Sequence, residues 1–131
     1  MSSLRVLIAE DDSVIRSLIA ELLTAEGMEV VEASSGDEAL GCLASGGFGL
    51  VITDVVMPTP YGVQVAAMAR SVGEGVPMLV ITAHRDQWII DSVKKLARAE
   101  LLHKPFSADD LMRSVHALLA ECATAQEAKS S

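Results

Sequence analysis

The chain has 131 residues, half of them apolar, so a single domain with a sizeable core is within reach and disorder over its bulk is excluded. Asp and Glu total 18 against 10 Lys and Arg, a net charge of −8, and the aromatics are Phe48, Tyr61, Trp88 and Phe106 alone. That balance lacks both the basic face and the stacking platform that direct nucleic-acid binding needs. No apolar run approaches the roughly 18 residues of a membrane span, and the N-terminus turns acidic too soon for a secretory signal. Cys42 and Cys122 are too few for a disulfide framework and read as reduced thiols in a cytoplasmic chain.

Apolar β-branched runs alternate with amphipathic stretches along the chain. Leu4–Ala9 reads as a buried strand. Ser13–Glu26 carries Val14, Ile15, Leu18, Ile19, Leu22 and Leu23 at helical spacing, and Gly27 closes it. Met28–Ala33 is a second strand and Asp37–Ala44 a short helix. Gly49–Thr53 is apolar throughout, which predicts a central strand. After a loop set by Pro58 and Pro60, Val63–Val72 is a helix candidate, Met78–Thr82 a fourth strand, Asp86–Arg98 a helix and Glu100–His103 a fifth strand. Ser107 is placed to cap a last helix that carries Asp109 and Asp110 in its first turn and runs to about Cys122. Residues 1–122 thus form one domain, and 123–131 a small polar tail expected to be flexible. The alternation argues an α/β fold, a parallel sheet covered by helices on both faces.

In such a sheet every strand's C-terminus lies along one edge, where ligands bind. Strand one ends in Glu10-Asp11-Asp12, strand three in Asp54, strand four in Thr82-Ala83 and strand five in Lys104-Pro105-Phe106. Carboxylates drawn together repel one another, which raises a pKa or calls for a hard divalent cation. An oxygen-only donor set suits Mg²⁺, with Mn²⁺ as a substitute; there is no twelve-residue calcium loop and no His/Cys cluster for zinc. A lysine facing carboxylates and a metal suits a transferring phosphoryl group, and a carboxylate can itself be the nucleophile. Asp54 is the best candidate because it ends the strand placed at the centre. No glycine-rich phosphate loop is present, so nucleotide is not indicated.

Taken together, Glu10-Asp11-Asp12, Asp54-Val55-Val56-Met57-Pro58 with Gly62, Thr82-Ala83 and Lys104-Pro105-Phe106 resemble the receiver domain of two-component response regulators, over residues 4 to 120. The resemblance implies a flavodoxin-like three-layer fold of five parallel strands, order 2-1-3-4-5, with five helices. It implies that Asp54 accepts a phosphoryl group from a sensor histidine kinase or a histidine phosphotransfer protein. Asp11, Asp54 and the carbonyl of Val56 would ligate Mg²⁺, with Glu10 acting through a metal-bound water. Lys104 would pair with the acceptor and then with phosphoryl oxygens, Thr82 and Ala83 would form the phosphoryl-binding switch, and the Lys104–Pro105 bond would be cis. The implied protein is a signalling phosphoacceptor rather than an enzyme, a monomer or a phosphorylation-dependent dimer, with an output protein the sequence does not name.

Each of these residues has a plainer reading. Acidic runs are commonly solvated loops, Asp12 also suits a helix N-cap, and a strand Thr such as Thr53 reflects β-propensity. His84 reads as a helix-entry residue, and His103 and His116 as structural or surface residues. Two departures from the family pattern stand out: Leu101 occupies the position, three before the lysine, where Tyr or Phe is usual, and Leu96-Ala97-Arg98-Ala99 replaces the usual Gly-Ala pair. They leave open a second reading, a degenerate receiver that works as a phosphorylation-independent interaction module.

Overall fold

A computed structural model describes residues 4–44, 46–54, 76–95 and 98–130, with the backbone alone for 121–130. The elements run β1 (Arg5–Ala9), α1 (Ser13–Ala25), β2 (Glu29–Ala33), α2 (Gly36–Leu43), β3 (Leu50–Asp54), β4 (Met78–Thr82), α3 (Gln87–Lys94), β5 (Ala99–His103) and α4 (Ala108–Ser130). The helix expected over Val63–Val72 and the loop of Pro58 and Pro60 lie outside the described residues, which therefore hold four helices rather than five.

The strands form one parallel sheet in the order β2-β1-β3-β4-β5. Burial explains the order. Every residue of β3 and β4 is buried, as their unbroken apolar runs require, whereas β2 and β5 are half-exposed edges. Alternate side chains feed two cores. Val6, Ile8, Leu50, Ile52, Leu79 and Ile81 face α1 and α4, meeting Ile19 and Leu23 at i, i+4 and Leu111, Val115 and Leu118. Leu7, Val51, Met78 and Val80 face α2 and α3, meeting Ala39, Leu43, Ile89 and Val93, with the half-buried Cys42 and Leu101 packed alongside. Each fully buried Leu or Ile contributes roughly 1.5–3 kcal/mol.

The helix ends follow local chemistry. Asp12 caps α1, its Oδ1 accepting from the N–H groups of Val14 (2.9 Å) and Ile15 (3.2 Å). At the other end Met28 N–H bonds Leu23 C=O and Gly27 N–H bonds Thr24 C=O, with Gly27 at φ +87°. This is the Schellman arrangement, and Met28 packs into the same core as Leu23. Ser107 and Asp110 cap α4 reciprocally: Asp110 N–H donates to Ser107 Oγ (3.0 Å) and Ser107 N–H to Asp110 Oδ2 (3.2 Å). Those bonds hold the Asp110 carboxyl below its ordinary pKa.

Some boundaries differ from the sequence expectation. The helix expected over Asp86–Arg98 is assigned over Gln87–Lys94, and Arg98 adopts φ +54°, a left-handed conformation that turns the chain into β5. The last helix is assigned through Ser130, past the end expected near Cys122, because no Gly or Pro follows to stop the backbone. Asp54 is the last residue of β3 itself.

Candidate functional site

The C-terminal ends of β1, β3, β4 and β5 share one edge of the sheet, and the register aligns them: Ala9 pairs with Thr53, Asp54 with Ile81 and Thr82 with His103. Strand pairing holds neighbours roughly 5 Å apart. Residues distant in sequence therefore meet just beyond these ends.

Glu10 leaves β1 fully buried, and Asp54 is 5 % exposed. Lys104 reaches both from beyond β5. Its Nζ donates to Asp54 Oδ2 at 2.6 Å and to Glu10 Oε1 and Oε2 at 3.0 and 3.1 Å. Burial pushes the Glu10 carboxyl up to about 7; the Lys104 hydrogen bond works against that rise and the nearby Asp54 charge adds to it. For Lys104, burial pulls the other way, but the hydrogen bonds and charges of Asp54 and Glu10 outweigh it and hold the ammonium above its ordinary pKa.

Asp11 is exposed at the mouth, yet Glu10, Asp11 and Asp54 can each present an oxygen with all three within 4.8 Å of one another. Three oxygen donors at that spacing, two of them buried, fit a hard cation such as Mg²⁺. Sequence reasoning has Glu10 acting through a metal-bound water; here both of its oxygens face Lys104. Val56, the remaining expected ligand, lies outside the described residues.

Thr82 is fully buried, its Oγ1 accepts the His84 N–H (3.1 Å), and its carbonyl accepts the Lys104 N–H (2.8 Å). The latter bond fixes the start of the β5–α4 turn, where the Lys104–Pro105 peptide is cis. Ala83 is exposed beside Thr82. Leu101 lies two residues upstream of His103 on the α3 side of β5, packed against the core that contains Ile89 and Val93. Trp88 is 48 % exposed on α3 while Ile89 is buried.

One residue near the site carried no sequence signal of its own. Arg16, in the first turns of α1, donates from Nη1 to the Glu10 carbonyl (2.7 Å) and from Nε to Glu32 Oε1 on β2 (3.3 Å). An arginine six residues after an acidic strand end could have flagged it, but surface helices carry such arginines routinely.

A sequence model of the response regulator receiver domain matches residues 6–116. Among curated proteins, the response regulator MprA of Mycolicibacterium vanbaalenii is 36 % identical over 117 residues, covering 88 % of this chain and 50 % of MprA. The transcriptional regulatory protein PdtaR of Mycobacterium tuberculosis is 37 % identical over 134 residues, covering 94 % of this chain and 65 % of PdtaR. The chain thus spans about half to two-thirds of the curated relatives it matches. Among solved structures, the receiver domain of the hybrid histidine kinase CckA superposes with a TM-score of 0.72 at 32 % identity, covering 88 % of this chain and 98 % of that one. The chemotaxis response regulator CheY4 of Vibrio cholerae gives 0.79 at 28 %, covering 90 % and 100 %.

Proposed function

The chain belongs to the response regulator receiver domain family of two-component systems, signalling phosphoacceptors rather than conventional enzymes, and from that premise we propose that Asp54 is the residue phosphorylated. The observation that carries this reading is the Lys104 ammonium held between Asp54 and Glu10 at the C-terminal edge of the central strands. The carboxylate oxygen of Asp54 attacks the phosphorus of a phosphohistidine on a sensor histidine kinase or histidine phosphotransfer protein. The P–N bond breaks, the imidazole leaves as the neutral base after taking a proton, and an aspartyl phosphate remains.

Glu10, Asp11 and Asp54 would hold Mg²⁺, or Mn²⁺ in its place, with the Val56 carbonyl as a further ligand. The bound cation would offset the charge that builds between carboxylates and phosphoryl oxygens. Lys104 orients the Asp54 carboxylate before transfer, its Nζ donating to Oδ2 at 2.6 Å, and then donates to a phosphoryl oxygen. Thr82 exchanges the His84 N–H for the phosphoryl group, beside the Ala83 backbone, and relays the change to the surface of α3, β5 and α4. Pro105 and Asp12 shape the turns that present Lys104 and Asp11.

The domain occupies 1–122, and the 123–131 tail continues α4 as far as Ser130. It acts in the cytoplasm as a monomer or a phosphorylation-dependent dimer, takes phosphoryl groups from small donors, and loses them slowly by itself. Leu101, packed where an aromatic switch is usual, is the observation that favours the second reading, a phosphate-independent interaction module. Intact-mass spectrometry after incubation with acetyl phosphate, beside a Mg²⁺ titration, decides between them. A phosphoryl increment that requires both Mg²⁺ and Asp54 supports the phosphoacceptor; no increment together with no Mg²⁺ binding favours the interaction module, and no increment with Mg²⁺ bound marks a receiver that rejects small donors.

A further inference from the structure

The polar groups of the β1–α1 turn are tied down almost one by one. Glu10 N–H donates to the Ala33 carbonyl (3.0 Å), Asp12 N–H to Glu10 Oε1 (3.2 Å), and the Asp12 carboxylate caps α1. The Glu10 carbonyl takes the Arg16 guanidinium at 2.7 Å. That carbonyl belongs to the peptide linking Glu10 to Asp11, so the contact sets the orientation of the peptide plane from which the exposed Asp11 carboxylate departs. The guanidinium is itself anchored. Its Nε meets Glu32 Oε1 at 3.3 Å, and its side chain is 19 % exposed where that of Glu32 is 44 % exposed. An arginine fork satisfies a carbonyl with one nitrogen and a carboxylate with another in a fixed planar geometry, whereas a lysine ammonium offers all its donors from a single atom.

We propose that Arg16 is a positioning residue for the divalent-cation site: braced by Glu32, it holds the Glu10–Asp11 peptide so that the Asp11 carboxylate stays aligned with Asp54. The inference rests on the reading above that Glu10, Asp11 and Asp54 receive Mg²⁺. Partners one shell out from metal ligands commonly govern affinity without touching the ion. Arg16 therefore acts on how tightly the cation is held, and much less on the reaction once the cation is in place.

The test is Mg²⁺ binding by isothermal titration on wild type, Arg16→Met, Arg16→Lys and Glu32→Gln, with the melting temperature of each metal-free protein alongside. Arg16→Met keeps the aliphatic stem and removes every donor. It is expected to weaken Mg²⁺ binding by about 10- to 100-fold, while labelling by acetyl phosphate at saturating Mg²⁺ stays within about twofold of wild type. Arg16→Lys, still able to donate to the carbonyl, should recover most of the affinity, and Glu32→Gln should lose a smaller part. Should Arg16→Met fail to fold, Arg16→Gln takes its place with the same expectation. A folded variant that binds Mg²⁺ as wild type does, or one that loses labelling rate at saturation with affinity intact, overturns the inference alone. Wild-type protein that binds no Mg²⁺ overturns the underlying site reading as well.

Discussion

Lys104 Nζ lies 2.6 Å from Asp54 Oδ2, and the same ammonium contacts both oxygens of the fully buried Glu10. One cation therefore stands between two enclosed carboxylates, and removing it leaves them facing each other. Lys104→Met should destabilise the metal-free protein by roughly 3 kcal/mol, the usual cost of breaking a buried ion pair from one side. Urea unfolding at pH 7.5 measures this. Saturating Mg²⁺ should restore part of the loss, and the variant should label far more slowly with acetyl phosphate.

Asp54→Asn retains the shape of the side chain and removes its nucleophilic charge. It should abolish the Mg²⁺-dependent phosphoryl increment while the protein remains folded. Mass spectrometry beside circular dichroism checks both halves of that expectation, and an increment that persists in the variant would place the acceptor elsewhere.

Glu10 sets a pH dependence with a definite sign. Its pKa rises from 4.5 to about 7 on folding, so between those values the folded protein keeps a proton that the unfolded chain has released. This group's stabilisation is complete below about pH 4.5, fades as pH rises toward 7 and is constant above. Glu10→Gln removes that component, so the variant should gain stability relative to wild type as pH rises from 5 to 8. Mg²⁺ binding should strengthen by up to about tenfold per pH unit below 7, because a carboxyl must lose its proton to face the cation. Titrations at pH 5.5, 6.5 and 7.5 measure it. The rise at Lys104 does not enter, since that group stays charged throughout this window.

Thr82→Val keeps the volume of a fully buried side chain but takes away the acceptor of the His84 N–H. A cost of about 1 kcal/mol is expected. Asp54 labelling should continue, while backbone amide shifts of α3 and β5 on phosphorylation should shrink. Amide spectra with and without acetyl phosphate separate the two effects, and full-size shifts in the variant would remove Thr82 from the relay.

Gly27 (φ +87°) has nothing within 4 Å of an added Cβ, so Gly27→Ala meets only conformational strain and should lose about 1 kcal/mol. Thermal unfolding of the variant beside wild type checks it.

The convergence of Glu10, Asp54, Thr82 and Lys104 was largely legible as strand-end punctuation. Asp54 follows an unbroken apolar run, and Thr82 and Lys104 each close a β-branched or leucine-rich stretch, so periodicity alone places them on one sheet edge. Arg16 was not legible, because its donor meets a backbone carbonyl, and no residue type announces that partner. Nor was Glu10's pairing with Lys104, since sequence distinguishes an acidic run from its neighbours but not which carboxylate turns inward. The end of the helix before β5 was also missed, because an arginine in a left-handed turn has none of glycine's signature.

The sequence by itself determined the alternating elements, the central place of β3, and the residue types gathered at the strand ends, since hydrophobic periodicity and capping are local in the chain. Only the tertiary structure decided which of Glu10 and Asp11 is buried against Lys104 and which stands at the mouth. Those choices depend on side-chain direction and on burial beside strands as much as 94 positions away, where electrostatic energies depend on angstroms that no spacing in sequence encodes.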